Sequence, residues 1–337
     1  MNITRIYKSD SKGIKMVSNL LEQEGLEFDK SVEYTIAVMD GDIMAATGSF
    51  YKNTLRCLAV SADYTGEGLM NLIISELTAE LFRRQIAHVF IYTKKEAAKK
   101  FLPLGFYEIV SVGGVVFLEN RRSGFKDYLS SLGERKKGVN AAVVMNANPF
   151  TLGHRYLVEY ALERCDCLHL FIVSEDVSAF PRNVREMLVK EGTKDLKNIC
   201  YHPTDNYIVS SATFPSYFIQ ESDKVTKAHA ALDSNIFAKI AEKLGITKRF
   251  VGEEPLSKAT ALYNETMQKE LPKFNIDVEI IPRKTEEHLG VISASLVRKL
   301  IAEGNIGAAK ALLPKTSYGF LTSAEAKPII DRLQNKA

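Results

Sequence analysis

Asn146-Ala147-Asn148-Pro149-Phe150-Thr151-Leu152-Gly153-His154 is the stretch that decides the fold of this chain. It stands where the apolar run 139–145 ends and a helical pattern over 153–164 begins, with a second apolar run at 168–173 beyond. Strand, helix and strand in that order make a βαβ unit, which predicts a parallel sheet with a helix on its face. Open parallel sheets bind ligands outside the carboxyl ends of their strands, which is where this loop falls. The amides and partial positive charge of a helix N-terminus suit a phosphate there. Gly153 permits close backbone approach, Thr151 and His154 supply donors, and Pro149 stiffens the turn. Spacing alone leaves an ordinary strand–helix loop equally open.

The alternation continues on both sides of that unit. Downstream, the periodicity predicts helices over 183–190, 223–244, 260–271 and 293–303, and strands over 249–251 and 278–281. Upstream, the charged stretch 121–138 surrounds a short amphipathic piece, 125–132, and reads as a linker. Before it, Ile14, Val17, Leu20 and Leu21 mark a helix over 11–24. Strand signals at 33–39 and 43–50 flank Asp40-Gly41-Asp42, a hairpin cue. A strand at 55–60, the glycines Gly66 and Gly68, and a helix at 69–84 follow. Then come a strand at 88–92, a helix at 94–102 and a strand or hairpin at 107–118. The expected architecture is α/β throughout. A mixed-sheet domain spans 1–123, a linker 124–138, and a Rossmann-like parallel-sheet domain 139–337.

A length of 337 residues fits two domains. Lys and Arg total 44 against 41 Asp and Glu, a net charge of +3, so there is no broad basic field for nucleic acid or a membrane surface. No apolar run approaches the roughly 20 residues of a spanning helix, and the first ten residues lack the apolar core of a secretory signal. Four cysteines, at 57, 165, 167 and 200, are too few and too irregular for a disulfide framework. Reduced thiols and a cytoplasmic location are expected, with no metal-ligand set.

A second informative stretch is Ile292-Ser293-Ala294-Ser295-Leu296-Val297-Arg298. Ser295 and Arg298, three apart, share a helix face, and Ser293 is a plausible N-cap. The group reads as an anion clamp or, on its own, as a capped surface helix. His288 lies close before it, while His88 and His169, in apolar runs, read as hydrogen-bonded core histidines. Tyr51, Tyr64 and Tyr92 are candidate acids, and the lysines at 94, 95, 99 and 100 form a solvated face or one that meets an acidic carrier.

Thr151-Leu-Gly-His154 resembles the (H/T)-x-G-H motif of nucleotidyltransferases related to class I aminoacyl-tRNA synthetases, and 292–298 resembles their I-S-S-x-x-x-R motif. The first domain resembles the GNAT acyltransferases, through Gly66-x-Gly68 opening a helix and through Phe101-x-x-x-Gly105-Phe106. Asp63 stands where that family usually carries a basic or amide residue.

The two domains in this order are similar to the citrate lyase ligase family, with further matching stretches at 174–176, 214–218, 251–255 and 260–267. That resemblance implies ATP-dependent acetylation, by acetate, of the thiol on a dephospho-coenzyme-A-like group. The group is carried on the acyl-carrier (gamma) subunit of citrate lyase. AMP and pyrophosphate are released, and Mg²⁺ is expected beside ATP. It also implies roles. His154, Thr151 and Arg298 are the catalytic candidates. Asn146, Asn148, Phe150, Gly153, Arg185, Ile292, Ser293 and Ser295 surround the phosphates. Gly252, Glu254 and Tyr263 face the nucleoside, and Gly66 and Gly68 cradle the prosthetic arm. The competing enzyme is an adenylyltransferase of coenzyme biosynthesis that joins AMP to a phosphorylated small molecule. The competing non-enzyme is a nucleotide-regulated module that binds an acyl carrier.

Overall fold

Two stretches of alternating strand and helix fold as two units, Met1–Asp127 and Tyr128–Ala337. The computed structural model describes residues 1–213, 222–253 and 257–335. The first unit runs β1 (Asn2–Ile6), α1 (Ser11–Gln23), β2 (Tyr34–Asp40), β3 (Ile43–Tyr51), β4 (Thr54–Val60), α2 (Leu69–Arg83) and β5 (Phe90–Lys94). It continues with α3 (Lys95–Ala98), β6 (Tyr107–Val112), β7 (Val115–Glu119) and α4 (Gly124–Ser131), the last reaching into the second unit. Its strands form one mixed sheet in the order β1-β2-β3-β4-β5-β7-β6.

Asp10 caps α1 by accepting the Gly13 amide, and Val17, Leu20 and Leu21 turn inward as their spacing predicts. The run 107–118 is a hairpin, because Gly113 and Gly114 both adopt positive φ at its tip. The helix expected over 94–102 is only one turn long, broken before Pro103. Between β4 and β5 only Thr54↔Phe90 and Leu55↔Ile91 pair, so these parallel strands part toward their carboxyl ends.

The second unit contains β8 (Asn140–Met145), α5 (Leu152–Leu162), β9 (Cys167–Ile172), α6 (Arg182–Gly192), β10 (Ile199–Pro203), α7 (Asp223–Leu244), β11 (Ile246–Gly252) and α8 (Lys258–Glu270). After them come β12 (Asp277–Ile281), the short pair β13 (Thr285–Glu286) and β14 (Gly290–Val291), α9 (Ala294–Ala302), α10 (Lys315–Leu321) and α11 (Lys327–Gln334). The order β10-β9-β8-β11-β12 is parallel at every join. Five of the six residues of β8 are buried, and all six of β9, as expected of strands covered on both faces. On one face Ala141, Val143, Met145, Leu168, Leu170 and Ile172 pack with residues of α5, α6 and α9. Among the described residues, four serines or threonines of this unit cap the helices they precede: Thr151 on α5, Ser222 on α7, Ser257 on α8 and Ser293 on α9. Tyr128, inside the expected linker, belongs to this unit. It is buried, and its hydroxyl donates to the Pro203 carbonyl at 3.0 Å.

Candidate active site

The carboxyl end of β8 delivers the 146–154 loop to the start of α5. Ala147 is fully buried at φ 49°, and a cis Asn148–Pro149 bond follows it. The loop is held from inside by its own side chains. The Asn148 amide oxygen accepts the Phe180 amide at 2.9 Å, and the Asn146 amide reaches Ser178 at 3.2 Å. Phe150 is buried against Gly192, where an added Cβ would stand 2.5 Å from its ring.

Arg185 is fully buried, and its guanidinium is engaged with backbone. It donates to the carbonyls of Phe180, Asn146, Val173 and Glu175, and to the Asn146 amide oxygen, at 2.7–3.1 Å. Arg185 therefore knits the exits of β8 and β9 together. Asn146, Asn148 and Phe150 likewise build the loop.

Thr151 is buried and Gly153 and His154 are half-buried where the loop enters α5. The Thr151 amide donates to His154 Nδ1 at 3.0 Å, and the Thr151 hydroxyl lies 2.9 Å from the same nitrogen. An imidazole nitrogen that accepts an amide proton carries a lone pair, so the ring proton sits on Nε2. Burial, followed by the charges of Arg283 and Arg298, holds the His154 pKa down at about 3. The ring is thus a neutral Nε2–H donor at the first turn of α5. Gly153 has no room for a side chain, since a Cβ would meet the Ile292 carbonyl oxygen at 2.9 Å.

That carbonyl belongs to the second motif, so the two stretches meet. Ser293 accepts the Leu296 amide at 3.1 Å and starts α9. One turn on, Arg298 donates through Nη1 to the Asn148 carbonyl at 2.6 Å and through Nη2 to Ser295 Oγ at 3.1 Å. The arginine is held at the loop by groups from both motifs. A neutral donor, a guanidinium and a helix N-terminus concentrated at one strand exit can bind and polarise a phosphate chain.

The Gly252 carbonyl at the end of β11 accepts from Asn264 at 3.2 Å. Tyr263 is buried, with its hydroxyl donating to Asp233 at 2.6 Å and accepting from Arg249 at 2.9 Å, so it is a pillar between helix and sheet. Glu254 and the stretch 214–218 lie outside the described residues. His288 is exposed, its amide donating to Glu286.

Among the core histidines, His169 Nδ1 lies 2.9 Å from His202 Nε2, and its Nε2 lies 3.2 Å from the Asn140 amide oxygen. His88 precedes β5 and meets the buried Glu119 carboxylate at 2.7 Å. In the first unit Gly66 and Gly68 take φ 95° and 75° in open surroundings, and Gly68 starts α2. The Tyr64 hydroxyl donates to Asp40 at 3.0 Å. One residue was missed: Arg283, whose charge reaches His154. Its signal was position, two residues past the end of β12 on the carboxyl side of the sheet.

The family pattern described as the citrate lyase ligase C-terminal domain matches residues 140–321. The chain is 38% identical over 326 residues to the citrate (pro-3S)-lyase ligase of Escherichia coli (strain K12), covering 94% of this chain and 93% of that protein. It is 38% identical to the protein of the same name from Haemophilus influenzae, covering 95% and 98%, and 36% identical to that of Klebsiella pneumoniae, covering 90% and 91%. Among solved structures, an acyl-CoA N-acyltransferase of Klebsiella pneumoniae aligns at 17% identity and TM-score 0.30 over 35% of this chain and 94% of that one. The Escherichia coli ribosomal-protein-S18-alanine N-acetyltransferase aligns at 16% and 0.30 over 35% and 91%.

Proposed function

The chain belongs to the citrate lyase ligase family, and from that premise we propose that it uses ATP to acetylate the thiol of the prosthetic group on the acyl-carrier subunit of citrate lyase. Acetate is the acyl donor, and the carboxylate must first be activated. Its oxygen attacks the α-phosphorus, the bond to pyrophosphate breaks, and acetyl-adenylate forms. The carrier thiolate then attacks the acetyl carbon, and AMP leaves. The first step demands orientation and stabilisation of charge on the departing pyrophosphate.

The observation that carries the reading is the meeting of the two motifs, Arg298 on the Asn148 carbonyl beside a neutral His154. Neutral imidazole offers its Nε2–H to a phosphate oxygen without giving up a proton, and Arg298 balances the growing negative charge. Thr151 fixes the ring, and the α5 N-terminus lies behind it. Among the described residues no group of three or more His, Cys, Asp or Glu could hold a metal ion, and the Asn148 amide oxygen is engaged by Phe180. Mg²⁺, expected beside ATP, would supply further neutralisation of phosphate charge.

The test is acetate-dependent exchange of labelled pyrophosphate into ATP by the full chain without the carrier. Exchange that needs acetate is expected. Exchange that ignores acetate, or needs a phosphorylated acceptor, overturns the proposal.

A further inference from the structure

Away from the nucleotide loop, the amino ends of β9 and β10 bring two thiols into contact. Cys200 pairs in register with His169, and Cys167 stands two residues back along β9, so the two side chains are diagonal neighbours on one face of the sheet. Their sulfurs lie 3.6 Å apart. Cys167 is buried and Cys200 is half-buried. Cys165, also half-buried, packs instead against the apolar core on the other face, and Cys57 belongs to the first unit. All four cysteines are free.

A disulfide holds its sulfurs at about 2.05 Å, so the pair must close by about 1.5 Å. β10 stands at the edge of the five-stranded sheet, so a small shift of its first residues breaks no second ladder. Burial, then the hydrogen bond with Cys200, pushes the Cys167 thiol up to about 12, and it is protonated at rest. The more accessible Cys200 therefore meets an oxidant first.

We propose that Cys167 and Cys200 form an oxidation site, at which hydrogen peroxide converts the two thiols into one intramolecular disulfide that ties edge strand β10 to β9. The Cys200 sulfur attacks one peroxide oxygen, the O–O bond breaks, and the departing hydroxide takes up the Cys200 thiol proton as water. Cys200 is then a sulfenic acid. Cys167 attacks that sulfur, the S–O bond breaks, and the hydroxide leaves with the Cys167 proton as a second water. The sulfurs give up two electrons and the peroxide accepts them. A thiol reductant reverses the bond by exchange.

Excess hydrogen peroxide, added to the reduced full chain under native conditions, tests this by mass spectrometry. The expected product has lost two hydrogens, carries one cross-link between the peptides that hold residues 167 and 200, and returns to its starting mass with dithiothreitol. Its urea midpoint should rise above that of the reduced chain, because the tie joins residues 33 apart in the unfolded chain. Cys200→Ser should abolish the cross-link and Cys165→Ser should leave it intact; mapping the wild type fixes the pairing even where a variant fails to fold. A cross-link through Cys165 or Cys57, a link between two chains, oxygen uptake on Cys167 or Cys200 without linkage, or an unchanged mass would each overturn the proposal. So would a lower midpoint, since the bond would then distort the sheet instead of holding it.

Discussion

A histidine held at about 3 works as a fixed donor, and this sets what its removal should do. Losing one preorganised donor to a developing charge typically costs about 10²–10³ in turnover. His154→Ala and Arg298→Ala should each reduce acetate-dependent pyrophosphate exchange by that order while the circular dichroism spectrum stays unchanged; near-wild-type exchange in both would remove them from the chemistry. Gly153→Ala acts by another route. Its methyl would stand 2.9 Å from a backbone oxygen, which cannot swing aside as a side chain does. About 1–3 kcal/mol of destabilisation is expected from such overpacking, read as a lower urea midpoint, together with impaired exchange. At this scale the contacts of His154, Thr151, Gly153 and Arg298 were within reach of the sequence, because their partners lie within a few residues or in one other motif. Those of Arg185 and Phe150 were not. Whether a guanidinium faces a ligand or a ring of carbonyls depends on where β9 and α6 bring residues 173, 175 and 180.

Between elements, the paired histidines on β9 and β10 make acid sensitivity a property of the sheet. The Asn140 amide hydrogens go to the Lys136 and Gly138 carbonyls, so its oxygen accepts from His169 Nε2–H. His169 Nδ1 must then accept from His202, so a further proton on His169 would face the His202 N–H. Burial keeps both pKa values near 4, with Lys136 adding to the effect on His169 and His169 to that on His202. The unfolded chain takes up these protons near 6.5, so between about 6.5 and 4 it binds more of them than the fold does. Stability is therefore full above that window and falls as pH drops through it. His202→Gln should lose less of its urea midpoint between about pH 7 and pH 4.5 than wild type loses; equal losses would exclude the pair as the source. Tyr263 joins α8 to Asp233 of α7 and Arg249 of β11. Tyr263→Phe leaves a buried carboxylate one donor short, at about 1–3 kcal/mol, measurable by urea denaturation. The apolar central strands were visible in the sequence. β10 was not, since Ile-Cys-Tyr-His-Pro neither alternates nor forms an apolar run, and only pairing with β9 makes it a strand.

For the whole molecule, every residue assigned to adenylation lies in Tyr128–Ala337. A fragment from residue 124 onward should keep acetate-dependent exchange. One starting at 139 should be less stable, because it lacks Tyr128 and the bond to Pro203. A folded but inactive longer fragment would mean that the first unit takes part in adenylation. The two-sheet plan was legible because strand and helix periodicities change abruptly along the chain. The point at which the second unit begins was hidden, since a charged stretch reads as linker whether or not one tyrosine in it is anchored. The contact between Gly153 and the Ile292 carbonyl also constrains how this site can change over generations. No single substitution at 153 is neutral while the 284–292 segment stays in place, and no shift of that segment is neutral while Arg298 must reach Asn148. Position 153 should therefore vary only in lineages whose 284–292 stretch has already drifted. A suppressor screen begun from Gly153→Ala should recover its second-site revertants there.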